Sequence, residues 1–147
     1  MICTITNSIM NIMTKRSLIF TLILLIALPA LMTSCKKEPG SGGKSTIYGK
    51  VFVKDYNSSF TVLQEAYYGP EIWVYLIYGD DRDYSDRINT NYDGTWEFKF
   101  LRPGKYKVYA YSKDSTLQTS APVAVIREVE IGSQKQDLEV PDLVIFN

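Results

Sequence analysis

Residues 95–101 alternate strictly, with Trp96, Phe98 and Phe100 set against Glu97 and Lys99, and turn signals bound them on both sides: Asp93-Gly94 and Pro103-Gly104. Successive side chains of a strand point to opposite faces, so period-two alternation marks a half-buried strand. Asp-Gly can reach positive φ, and Pro103 sets φ near about −65° before Gly104 releases it. The same texture fills the rest of the chain beyond residue 44. Residues 47–54 place Ile47, Val51 and Val53 on one face, leaving Tyr48 and Phe52 on the other. Residues 71–78 form a continuous run of β-branched and aromatic residues, too short for a helix core. Residues 86–90 make a short strand. Residues 105–112 put Tyr106, Val108 and Ala110 on one face and Lys105, Lys107, Tyr109 and Tyr111 on the other. Residues 123–131 and 137–145 complete the set, with Pro141 demoting the last to an edge or bulged strand. Residues 55–70 read as a loop. With no helical periodicity and no crossover helices, the expected fold is all-β, a single antiparallel seven-stranded β-sandwich.

A charged and then apolar segment precedes this domain. Lys15 and Arg16 introduce residues 18–32, 15 positions that include Thr21 and Pro29. A membrane-crossing helix needs roughly 20 apolar residues, so the run has the length of a signal peptide. It leads into Leu31-Met32-Thr33-Ser34-Cys35 and then the polar Lys36-Lys37-Glu38-Pro39-Gly40-Ser41-Gly42-Gly43. That layout resembles the lipobox of bacterial lipoproteins, with a small residue, Ser34, just before the cysteine. The resemblance implies cleavage before Cys35, thioether diacylation of its thiol and acylation of the new amino terminus. Several acyl chains at about 0.8 kcal/mol per buried CH2 make a firm membrane anchor. The expected organisation is a signal peptide over 1–34, a lipidated Cys35 with a flexible tether over 35–44, and the β-sandwich over 45–147. Translation can start at Met1, Met10 or Met13. Lys36 follows the cysteine where an Asp would resemble an inner-membrane retention signal, so the outer membrane is the expected address.

Composition then narrows the function classes. The precursor carries 16 basic and 16 acidic residues, and cleavage removes Lys15 and Arg16, leaving 14 against 16. A slightly acidic domain is a poor partner for nucleic acid, which selects strongly basic surfaces. Cys3 leaves with the signal and Cys35 is consumed by lipid, so no thiol remains for a disulfide or a nucleophile. The chain has no histidine, the commonest general base and metal ligand. No cofactor motif is present.

Ile47-x-Gly49-x-Val51, Ile72-x-Val74-x-Leu76 and Thr90-x-x-Asp93-Gly94-x-Trp96-x-Phe98-x-x-Leu101-x-Pro103-Gly104-x-Tyr106-x-Val108 recur through the domain. This series resembles the carboxypeptidase regulatory-like family, whose domains have a transthyretin-like sandwich related in outline to the immunoglobulin type. The resemblance implies a structural, adhesive or ligand-binding accessory module and no shared active site. Hydroxyisourate hydrolases share that fold but rely on histidines and a C-terminal Tyr-Arg-Gly-Ser motif. This chain lacks histidine and has Val144-Ile145-Phe146-Asn147 at its end.

The acidic run Asp80-Asp81-Arg82-Asp83-Tyr84-Ser85-Asp86 offers oxygen ligands for Ca2+, but it lacks the EF-hand glycine and terminal glutamate, and Arg82 and Arg87 offset its charge. It reads as a solvated loop. The aromatics are more informative. With Val74 and Leu76 inward, Trp73 and Tyr75 point outward, and Tyr109 and Tyr111 also leave the core face. Such rings either shield the second face of a sheet or offer a surface for sugar rings or a protein partner. Trp73, Tyr75, Tyr109 and Tyr111 are therefore the candidate ligand-binding residues, with Tyr109 and Tyr111 expected to be more accessible than Trp73. The function expected is a non-catalytic binding or adhesion module at the cell envelope, anchored to the membrane through lipid and recognising a glycan or an envelope protein. The alternative is a structural accessory subunit docking onto an envelope complex.

Overall fold

The computed structural model describes residues 38–147. The signal peptide expected over 1–34 and the lipidation expected at Cys35 lie outside the described residues. Nine strands follow in order among the described residues: β1 (Ser41–Tyr56), β2 (Leu63–Tyr68), β3 (Trp73–Tyr78), β4 (Asp86–Asn89), β5 (Thr95–Leu101), β6 (Gly104–Ser112), β7 (Val123–Ile131), β8 (Asp137–Glu139) and β9 (Leu143–Phe146). They form two sheets. In one, β1 pairs with β5 and β2 antiparallel and with β8 and β9 parallel; the other runs β4-β3-β6-β7, antiparallel throughout.

The alternating positions meet between the sheets. Ile47, Val51 and Val53 from β1, Trp96, Phe98 and Leu101 from β5, and Leu143 and Ile145 from β9 face Val74, Leu76, Tyr106, Val108, Ala110 and Ile131 from the other sheet. Full burial of an aliphatic or Phe side chain contributes about 1.5–3 kcal/mol, and no cysteine lies among the described residues to add a covalent brace. Gly49 is required by this packing: a Cβ there would lie 2.8 Å from Trp96 Cζ2 and 2.9 Å from the Val140 carbonyl oxygen.

The sandwich expected from sequence is present, with four differences of detail. The span read as a loop, 55–70, contains β2, which pairs with the far end of β1. The last expected strand is two strands, β8 and β9, parallel to successive stretches of β1, and they give nine strands and a mixed sheet in place of seven antiparallel ones. Phe100, expected inward, is exposed with φ of 60°. The register between β1 and β5 shifts around Leu101, so Leu101 takes the inner position that simple alternation assigns to Phe100.

The fourth difference lies in the tether. β1 begins at Ser41, inside the span assigned to it. Gly40 is buried, and both of its backbone groups are held. Its N–H donates to the Tyr106 hydroxyl (2.9 Å), and its carbonyl accepts from Arg102 N–H (2.9 Å). The same hydroxyl donates to the Arg102 carbonyl (2.6 Å). Gly104 adjoins this latch with φ of +151°, and a Cβ there would fall 2.7 Å from Pro39 Cβ. A glycine-rich string that looks like free linker is fixed because a buried phenol supplies the hydrogen bonds that water would otherwise give it.

Candidate functional site: an aromatic face and its groove

Strand register decides what the outer face of the β4-β3-β6-β7 sheet presents. Arg87, Tyr75, Tyr109 and Ile126 lie opposite one another across the four strands. Side chains two apart along a strand share a face, so Trp73 and Tyr111 flank Tyr75 and Tyr109 at the next position. The four candidate residues therefore converge.

Their roles differ. The Tyr75 and Tyr109 rings stack with centroids 4.9 Å apart and planes 12° from parallel. Tyr111 meets both edge-on at 5.5 Å. Trp73 and Tyr111 are 43% and 48% exposed, whereas Tyr109 is only 8% exposed. The expectation that Tyr109 is more accessible than Trp73 is thus corrected. Alternation put Tyr109 on the outer face, but Tyr75 and Tyr111 cover it there. Tyr109 is the floor of the cluster, and Trp73 and Tyr111 are its exposed rings. Burial first, and then the neighbouring Tyr111 and Tyr75 phenols, push the Tyr109 pKa up to about 12 from the ordinary 10.0.

Two further residues, missed from sequence, complete the cluster. Tyr84, from the acidic loop, packs edge-on against Tyr75 at 5.2 Å. The Arg87 guanidinium lies 4.4 Å from the Trp73 ring centroid and 5.9 Å from that of Tyr84. A guanidinium over an aromatic face is attracted by the ring quadrupole. The exposed Arg87 thus packs on Trp73. The usable signal for Arg87 was its phase on β4, opposite Tyr75. Tyr84 gave none, because it lies in a loop that folds back. The rest of that loop is exposed, and Asp80 reaches the Lys107 ammonium at 3.3 Å.

Beside the exposed rings runs a groove of about 410 Å3, walled by Trp73, Tyr75 and Tyr111 and by Tyr67, Ile72 and Pro122, with Glu71, Ser112, Lys113 and Asn147 as polar members. The Ser112 hydroxyl donates to the Lys113 carbonyl and accepts from Phe146 N–H, both at 2.8 Å, which ties the end of β6 to β9. Thr90, buried behind the groove wall, fixes Ile72: its hydroxyl donates to the Gly69 carbonyl (2.7 Å) and accepts from Ile72 N–H (2.9 Å). The groove is therefore built on fixed strand ends. Apolar rings with a few polar groups at the rim suit an organic ligand that has one apolar face and a hydroxylated edge. Among the described residues no helix is long and apolar enough to cross a membrane.

No family model and no curated protein matches the chain. Among solved structures, it is similar to a "putative carbohydrate binding protein" of Pseudomonas aeruginosa, with 15% identity and a TM-score of 0.46 over 74% of this chain and 91% of that one. At that distance no residue or ligand carries across, and the site stands on its own geometry.

Proposed function

We propose that this domain is a non-catalytic binding module of the carboxypeptidase regulatory-like kind, which holds a glycan against Trp73 and Tyr111. Its place is the cell envelope, where a lipid on Cys35 anchors it in the outer membrane. The observation that carries the reading is the pair of half-exposed rings, Trp73 and Tyr111, set on adjacent strands beside the groove, Tyr111 held by Tyr75 and Tyr109 and Trp73 by the Arg87 guanidinium. The C–H face of a sugar ring packs on such rings, while its hydroxyls meet Arg87, Glu71 and Lys113 at the edges. Rings already held in place lose little freedom on binding, which raises affinity.

A glycan array probed with the wild-type chain and a Trp73→Ala/Tyr111→Ala variant tests this. The variant should lose at least about tenfold in affinity, a change of roughly 1.4 kcal/mol, with its melting transition nearly unchanged. Glycan binding that survives both substitutions refutes the reading. Ile126, 47% exposed, extends the face toward β7 and supports the second reading, an accessory subunit docking through this surface. Under that reading the array is silent, and the double variant loses a cross-linked protein neighbour instead.

A further inference from the structure

A second cavity, of about 420 Å3, opens at the end of the sandwich where β6 finishes, with Tyr56, Phe60, Leu117 and Pro122 as its apolar members. Two loops that brace themselves form it. Asn57 Oδ1 accepts the backbone N–H groups of Thr61 (2.9 Å) and Val62 (3.1 Å). The Asp114 carboxylate accepts those of Thr116 (2.8 Å), Gln118 (3.1 Å) and Thr119 (3.0 Å). Each loop holds one large apolar residue in the left-handed region: Phe60 at φ 52° and Leu117 at φ 58°. That conformation is unfavourable for such side chains and persists only where the surroundings enforce it. Phe60 stacks on Tyr56 at 5.7 Å, while Leu117 is 58% exposed.

This cavity and the aromatic groove share Ser112, Lys113, Pro122 and Asn147. They are neighbouring compartments of one surface. From Tyr111, the exposed ring on β6, to Lys113 the chain advances about 7 Å at ~3.3 Å per residue, more than the length of one pyranose ring. A ligand that rests on the rings and enters the cavity is therefore an oligomer. A bare hexose would bring hydroxyls against Tyr56, Phe60 and Leu117, and of the polar lining Asn57 Oδ1, the Asp114 carboxylate and the Ser112 hydroxyl are already bonded within the protein, so they offset little of the lost hydration. A sugar with an acetamido group buries a methyl there and keeps an amide for the polar rim, where Lys113 and Ser120 lie.

We propose that the cavity is an end subsite of the groove and selects a linear glycan of the N-acetylhexosamine class; this rests on the glycan reading above. The test uses β-1,4-linked hexamers of glucose and of N-acetylglucosamine, which share a backbone and differ at the acetamido group. Calorimetric titration of the full chain compares wild type with Leu117→Asn. Asn accepts the left-handed conformation readily, so this variant folds while losing the apolar wall. Wild type should bind the N-acetylated hexamer at least about tenfold more tightly. Leu117→Asn should bring the two affinities together by weakening only the N-acetylated one. Equal affinities in wild type, or a preference that survives Leu117→Asn, overturn the subsite and leave the ring platform standing. Failure of wild type to bind either hexamer also overturns the subsite, while the glycan reading itself is decided separately by the array.

Discussion

Tyr109→Ala separates the floor of the aromatic face from its exposed members. The Tyr109 ring is 8% exposed and stacks on Tyr75 at 4.9 Å. Burial of such a ring contributes about 1.5–3 kcal/mol, and a stacked aromatic pair adds about 0.5–1.5 kcal/mol. The loss on truncation should therefore be roughly 2–4 kcal/mol, with the lower half expected because Tyr75 and Tyr111 can settle into the space and shrink the cavity. Trp73→Ala and Tyr111→Ala remove half-exposed rings and should each cost about 1 kcal/mol or less. Against a total of ~5–15 kcal/mol for a domain, the difference is easily read. Urea denaturation followed by tryptophan fluorescence is a suitable assay, since Trp96 is buried in the core and reports on its opening. Tyr109→Phe keeps the ring and should behave as wild type at neutral pH. The alkaline limb adds a second readout. The folded chain keeps a proton on Tyr109 up to about 12, whereas an unfolded tyrosine releases it near its ordinary 10.0. Stability attributable to that burial is complete below about 10 and declines as pH rises through about 12. Tyr109→Phe should flatten this decline. Equal denaturation midpoints for Tyr109→Ala and Tyr111→Ala would refute the division into floor and surface, and with it the claim that Tyr111 is held by Tyr75 and Tyr109.

Two further outcomes are expected. Tyr106→Phe leaves the buried Gly40 N–H without its partner and should cost about 1–3 kcal/mol, with amide exchange at Gly40 and Ser41 accelerating before that of β6; unchanged exchange at Gly40 would remove the latch from the account. Cys35→Ala should accumulate unprocessed precursor and lose palmitate labelling, whereas normal labelling of the variant would disprove the lipoprotein reading.

The sequence was legible wherever a two-residue period met a fully covered face. Ile47, Val51, Val53, Val74, Leu76, Tyr106, Val108 and Ala110 are all buried where alternation puts them. The failures share a cause. Leu63–Tyr68 has no alternation and is mostly exposed. It is a strand only because β1 runs on to Tyr56 and offers an edge to pair with. Phe100 turns outward because of a register shift set by Ser41 and Ser45, some 55–60 positions away along the chain. Gly40 is ordered by a hydroxyl 66 residues distant. In each case a residue's state is decided by a partner remote in sequence, which local pattern does not encode.

The candidate site shows the same division at finer grain. Period two correctly assigned Trp73, Tyr75, Tyr109 and Tyr111 to the outer face, but a face is not an exposure. Tyr109 lies in an interior column of the sheet, with Tyr75 on one side and Ile126 on the other, and large neighbours close over it. Trp73 faces Asn89, a short polar residue at the end of β4, and keeps an open edge. An interior column flanked by large side chains makes a floor; a strand end flanked by a small polar residue makes a rim. Strand order supplies that distinction, and the useful part of this surface for a ligand is accordingly the end of the sheet near Trp73 and Tyr111, where the groove begins.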